Sequence, residues 1–106
     1  MWMTNPECMC QQHLLGEHLE LHMFATHLRN GKGIAGFIKS NCIEPGAIKI
    51  RHDLLVKYMK NHNTPIEQPN LSKYSKEERE AKVDVKEAGK LLYSRCGLCN
   101  SIRMDT

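Results

Sequence analysis

The segment NPECMCQQHLLGEHLELHMFATHLRNG, residues 5–31, constrains the fold more than any other part of the chain. It opens on Asn5-Pro6 with Glu7 following, an N-cap residue, a proline suited to the first helical position and an acid near the positive helix end. It closes on Asn30-Gly31, a pair that tolerates positive φ and so ends helices. Between these signals Leu14, Leu21, Ala25 and Leu28 fall on one stripe at helical spacing. The pattern predicts a helix from near Pro6 to about Arg29, with that stripe on the core.

The remainder reads as two further helices and their connections. Residues 31–44 form a connection containing GKGIAG. This matches the dinucleotide fingerprint G-x-G-x-x-G, but a helix precedes it where that motif needs a strand, so the match is discarded. A second helix opens at Glu44-Pro45 and ends near Asn61-His62-Asn63. Ile48, Ile50, Leu54, Leu55, Tyr58 and Met59 give it a broad apolar face, with Lys49, Lys57 and Lys60 along the other side. A loop with Pro65 and Pro69 follows, then the weak helix start Ser75-Lys76-Glu77-Glu78. Asp84 is placed to cap a third helix carrying Val85, Ala88 and Leu92, which runs into the turn Cys96-Gly97-Leu98-Cys99. With no repeat and no convincing strand, the expected architecture is all-α: one compact domain over residues 1–106, with about three main helices and long connecting loops.

Composition adds limits. A hydrophobic fraction of 41% and a charged fraction of 25% suit a soluble globular chain. No apolar run approaches the ~18 residues of a membrane span, so no membrane partner is expected. MWMTNPEC lacks the charged and apolar regions of a signal peptide, which makes the cytosol the expected location. The net charge of +3 is mild. It is concentrated where Lys49, Arg51, Lys57 and Lys60 face only Glu44 and Asp53, a segment that suits either phosphate contacts or a solvated helix face. Five cysteines, an odd number, argue against a disulfide framework. Cys96 and Cys99 have the spacing of a zinc knuckle, but a structural site takes four ligands and Cys8-Met9-Cys10 has the wrong spacing for a partner knuckle. Oxidised or free thiols near the C-terminus are the plainer expectation.

His13, Glu17 and Glu20 share a helical stripe, and Gly16 lies beside them. A glycine inside a helix costs about 1 kcal/mol against alanine, so it serves either close helix packing or open space next to Glu20. His18 and His22 form a neighbouring pair, but the zinc-protease pattern H-E-x-x-H is absent. The carboxylates admit two readings. They are a solvated face with ordinary contacts along the helix, or a pair whose mutual influence divides acid and base roles.

QQHLLGEHLELHMF, residues 11–24, resembles the QH-(hydrophobic)-x-A/G-E-x-x-E-L segment of the phage-type pyrimidine-dimer DNA glycosylases, the small ultraviolet-repair enzymes historically called endonuclease V of phage. IRHDLLVKYMKNHN, residues 50–63, is similar to the second helix of that family, and the Met-Trp-Met-Thr-Asn-Pro opening to its short N-terminal arm. The resemblance covers roughly residues 1–64. The last third is similar only to a shorter phage subgroup ending in a C-x-x-C element. Leu19 and Met23 stand where the family often carries arginine.

The resemblance implies a compact all-α glycosylase and abasic lyase acting on double-stranded DNA with pyrimidine dimers or abasic sites. A monomer in a bacterial or phage-infected cytosol is expected. The family's nucleophile is the N-terminal α-amine, which attacks C1′ of the lesion's 5′ pyrimidine to give a Schiff base, and β-elimination then cuts the strand. Trp2 is bulky enough for the initiator methionine to be retained, which makes the Met1 amine the expected nucleophile. The family's second glutamate falls on Glu20. Gln12 and His13 match positions that approach DNA or the active site, and Glu17, Arg29, Lys32, Lys49, Arg51, Lys57 and Lys60 are expected with them on the DNA. An α-amine, with a reference pKa of about 7.7–8.0, is substantially neutral and nucleophilic at physiological pH. A carboxylate beside it can move protons or stabilise the iminium charge, so neither cofactor nor metal is required. A non-catalytic DNA-binding or regulatory protein on the same scaffold is the competing expectation, and a zinc-stabilised module around Cys96 and Cys99 a third. Trp2 is expected to pack the arm on the helices rather than stack on a base.

Overall fold

In the computed structural model the structure describes residues 1–60 and 64–105; it is all-helical, with no strand among the described residues. The first long helix, α1, spans Gln11–Arg29, and its stripe is where the sequence puts it: Leu14, Leu21, Ala25 and Leu28 are all buried. It starts later than its signals suggest. Asn5 caps only a short 3-10 turn, Pro6–Cys8, accepting the Glu7 N–H at 3.0 Å. Met9 and Cys10 then run extended before α1 begins. A continuous helix would turn some of these side chains outward, whereas the break buries both Met9 and Cys10. At the other end Gly31 takes a φ of +66°, as a residue following a helix should.

The predicted connection after α1 contains a short helix of its own, α2 (Ala35–Lys39), following the fully buried Ile34. Phe37 of α2 meets Phe24 of α1 edge-on at 5.0 Å, which carries the chain back over the core. The next helix is entered through a 3-10 turn at Pro45–Ala47 and continues as α3, Ile48–Val56. It stops well short of the expected end, which at Asn61, His62 and Asn63 lies outside the described residues. The Gln11 side chain explains part of this stop. It donates to the Tyr58 carbonyl at 2.8 Å and accepts the Lys60 N–H at 3.0 Å, giving partners to backbone groups that a continued helix would have used. The apolar face is also narrower than the pattern suggests, because Ile48 and Leu55 are buried while Ile50 is 73% exposed.

Two signals in the last third correspond closely to the fold. Ser75 and Glu78 form a reciprocal capping box at the start of α4 (Lys76–Arg79). Asp84 caps α5 (Val85–Arg95) by accepting the Glu87 N–H at 3.2 Å. Cys96 both ends α5 and caps a final helix, α6 (Gly97–Met104), so the expected turn is the first turn of a helix. α1 packs on α3, α5 on α6, and α6 on the Pro6–Cys8 turn. The Pro6–Cys8 turn of the N-terminal arm is thereby seated on the last helix.

Gly16 is explained by what is not near it. A Cβ built there would meet no other atom within 4 Å, so helix packing does not require glycine. Gly16→Ala should therefore stabilise the fold by about 0.5–1 kcal/mol through helix propensity alone. Urea unfolding of the two proteins measures this, and a destabilised variant would mean that the space beside α1 is filled.

Candidate active site

Residues 1–10 are an arm bound into the structure, and the main agent is Arg51. Its guanidinium is 3% exposed and grips Glu17, itself 2% exposed, with Nε to Oε2 at 2.6 Å and Nη2 to Oε1 at 2.9 Å. Nη1 donates to the Thr4 carbonyl at 2.7 Å. A bidentate, charge-assisted pair of this kind fixes direction as well as distance. One side chain of α3 therefore ties α1 to the backbone of the arm, and Met3, at a φ of +57°, turns the chain immediately before that tie.

The turn brings the Met1 α-amine onto the carboxylate of Glu20, to which it donates a hydrogen bond, and onto the Cys42 carbonyl at 2.8 Å. The Met1 sulfur accepts the Glu44 N–H at 3.2 Å, so both ends of this residue are held. Asn41 presents the carbonyl. It adopts a φ of +58°, and its side-chain amide accepts the Asp84 N–H at 2.7 Å and donates to the Asp84 carbonyl at 3.0 Å. The amine is thus bracketed by a carboxylate from α1 and a carbonyl from the loop after α2. Glu20 keeps 35% of its side chain exposed and borders an open cavity of about 420 Å³. Met1, Trp2, Cys42, Leu91 and Arg95 also line this cavity, so an amine-bearing residue, a carboxylate and a guanidinium share one concave surface.

The expected site residues are distributed unevenly around it. Glu17 and Arg51 do not meet DNA phosphates: they are buried and spend their charge on each other and on the arm, which corrects the expectation that placed them on the DNA. His13 is half-buried with its Nδ1 turned toward the Cys10 and Cys99 sulfurs, while its ring lies 6.2 Å from that of Trp2. Gln12 is exposed on α1, one turn before Gly16 and two before Glu20. Arg29, Lys32, Lys49, Lys57 and Lys60 are exposed. Of these, Arg29 donates to Thr26 at 3.1 Å and Lys49 pairs with Asp53 at 2.9 Å. Leu19 and Met23, at the two expected arginine positions, are 58% and 50% exposed.

Between α1 and α3 lies a histidine cluster, His18, His22 and His52, with ring centroids 4.7–5.2 Å apart. Burial first, and the neighbouring His52 second, hold His22 below the usual histidine value. The His52 hydrogen bond, followed by the one from Lys49, holds Asp53 below the usual carboxylate range. Sequence reasoning misses Arg95 and the Cys42 carbonyl. The cap and apolar stripe of α5 locate the helix but say nothing of its exposed Arg95, and a backbone carbonyl carries no side-chain signal.

The fold and this site define a class, a small helical protein with its N-terminal amine docked on a glutamate beside an open cavity. The family model for pyrimidine dimer DNA glycosylase matches residues 1–72, and the chain belongs to that family. No curated protein and no solved structure matches it. No helix among the described residues is long and apolar enough to cross a membrane.

If the buried pair holds the arm, Glu17→Gln should cost about 3–5 kcal/mol, because it strands the Arg51 charge in the interior. Combining Glu17→Leu with Arg51→Met should recover most of that loss. Urea unfolding tests both, and a cost below about 1 kcal/mol for the single change would place the pair among weakly contributing ion pairs.

Proposed function

We propose that this protein excises cyclobutane pyrimidine dimers from duplex DNA and cuts the resulting abasic strand, using the Met1 α-amine as nucleophile and Glu20 as its proton partner. The observation that carries the proposal is the pairing of the amine with the Glu20 carboxylate at the edge of the open cavity. An ammonium has no lone pair to offer. Glu20 is the adjacent acceptor for its proton, and the Cys42 carbonyl keeps the nitrogen in place as the proton leaves.

The neutral nitrogen attacks C1′ of the 5′ nucleotide of the dimer. The C1′–N glycosidic bond breaks, and its electron pair leaves with the base, which takes up a proton. The added nitrogen gives up one proton, the C1′–O4′ bond opens with O4′ protonated, and a ring-opened C1′ iminium remains on the Met1 nitrogen. Loss of a C2′ proton then expels the 3′ phosphate by β-elimination, and water releases the sugar fragment and restores the amine. A carboxylate beside the nitrogen stabilises the iminium charge as it develops. Reaching C1′ inside a duplex requires an unstacked nucleotide, and a dimer lowers the cost of unstacking. Arg95 on the cavity wall supplies a phosphate contact next to the reacting sugar, while Arg29, Lys32, Lys49, Lys57 and Lys60 hold the duplex further out.

The exposed Leu19 and Met23 favour a second reading, a DNA-binding protein of this family without catalysis, because two cations are missing from the turns around Glu20. Borohydride trapping separates the two readings. Untagged protein, with its N-terminal residue verified by mass spectrometry, is expected to form a covalent adduct with a duplex carrying one thymine dimer. The adduct should disappear when the α-amine is blocked. Glu20→Gln should reduce trapping and strand cleavage by about 10²-fold or more with little change in DNA affinity. Absence of any adduct on both dimer and abasic duplexes would leave the binding-protein reading.

A second outcome concerns the cations. Lys57→Ala combined with Lys60→Ala should weaken binding and shallow the dependence of log K on log salt by about 0.9 for each phosphate no longer neutralised. Arg95→Ala should do the same for a single phosphate and also slow cleavage. A salt slope unchanged from the parent protein would take the substituted residues off the DNA.

A further inference from the structure

Four side chains that the proposed reaction does not use converge where α6 meets the start of α1. Cys10 is the N-cap of α1 and His13 is the third residue inside it; Cys96 is the N-cap of α6 and Cys99 is the third residue inside that helix. Each helix start thus supplies the same pair of positions, and a side chain three residues into a helix leans back toward its N-cap. The Cys10 sulfur lies 3.2 Å from His13 Nδ1 and 4.0 Å from the Cys96 sulfur, and the Cys99 sulfur lies 3.6 Å from the same His13 nitrogen. All four ligand atoms fall within 4.8 Å of one another.

We propose that Cys10, His13, Cys96 and Cys99 form a structural Zn²⁺ site that clamps α6 onto the N-terminus of α1. Zinc–sulfur bonds of about 2.3 Å and a zinc–nitrogen bond of about 2.0–2.1 Å, set tetrahedrally, put ligand atoms roughly 3.8 Å (S to S) and 3.6 Å (S to N) apart. The observed separations scatter around those values. They do not fit a disulfide, whose sulfurs stand about 2.05 Å apart, and Cys10, Cys96 and Cys99 are not disulfide-bonded. Three sulfurs and one imidazole in a tetrahedral set select zinc over magnesium or calcium, which take oxygen ligands. Four protein ligands leave no open position, so the site is structural rather than catalytic.

The surroundings suit bound thiolates. The Cys10 N–H donates to the Cys99 sulfur at 3.2 Å and the Cys99 N–H to the Cys96 sulfur at 3.4 Å. Three thiolates and one neutral imidazole around Zn²⁺ leave a net negative charge, placed at the positive ends of two helices. The site also meets a need of the fold. α6 buries Cys99 completely and half-buries Ile102 against the core, while Leu98 is 61% and Met104 73% exposed. A helix with so little apolar attachment gains its hold from the metal.

The test uses the full untagged chain, purified without chelator from zinc-supplemented culture. Elemental analysis should find about one zinc per chain. Replacement by Co²⁺ should give the strong visible bands of a tetrahedral centre together with a near-ultraviolet thiolate-to-cobalt band. Cys99→Ser should lower bound zinc at least about tenfold. His13→Cys should retain the metal, with the cobalt spectrum moved toward an all-sulfur pattern. His22→Gln, in the separate histidine cluster, should leave zinc content unchanged. Folded parent protein with less than about a tenth of a zinc per chain would overturn the proposal. So would iron in place of zinc, or metal that survives Cys99→Ser and is lost with His22→Gln.

Discussion

The bidentate pair between Glu17 and Arg51 is the interaction on which the rest of this structure depends. It joins α1 to α3 through two buried charges, and the third donor of the guanidinium reaches the arm at the Thr4 carbonyl. Such pairs repay their desolvation only when the geometry is good and the remaining donors are satisfied. Here Nη2 also approaches the Met9 sulfur at 3.5 Å, so the guanidinium is engaged on every side. An apolar replacement of similar volume would bury as well but carries no direction. Direction is what the arm requires, because a short segment ending in a free amine has to reach one carboxylate and no other.

The same helix face performs three tasks at successive positions. His13 turns toward the thiols of α6, Glu17 toward Arg51, and Glu20 toward Met1. One rigid helix thereby sets the spacing between the arm's anchor and the carboxylate that meets its amine. The loop after α2 supplies the other side of the bracket through Asn41, a residue tolerant of positive φ whose side chain is tied to the cap of α5. The seat of α5 is therefore linked through Asn41 to the loop whose Cys42 carbonyl accepts from the Met1 amine.

Local signals are legible in the sequence, and long-range partners are not. The stripe through Leu14, Leu21, Ala25 and Leu28, the stop at Asn30-Gly31 and the Asp84 cap depend on neighbours within a turn or two, and each appears in the structure. The row His13, Glu17 and Glu20 is visible as a row. Periodicity identifies a shared stripe but not the partners waiting for each member: Glu17 meets a residue 34 positions later and His13 one 86 positions later. The cysteines illustrate the same limit. Cys8-Met9-Cys10 reads as an ill-spaced knuckle, whereas the relevant spacing is Cys10 to His13, which repeats Cys96 to Cys99 with one imidazole exchanged for a thiol. α2 escapes the pattern because five residues within a glycine-containing stretch give periodicity too little length to register.

The family match ends at residue 72, yet the site does not end there. Glu87, Leu91 and Arg95 of α5 form one wall of the cavity whose other wall carries Met1 and Glu20. α5 is also capped by the residue that holds Asn41, and through Cys96 it leads directly into α6, which packs on the Pro6–Cys8 turn of the arm. The last third thus adds a wall, a cation and a support for the arm to a scaffold that already holds the amine and its carboxylate. Leu19 and Met23 leave α1 without positive charge on the turns flanking Glu20, and Arg95 is the one basic side chain lining the cavity among the described residues. Positive charge on this cavity therefore comes from the wall opposite Met1 and Glu20, in the part of the chain beyond the family match.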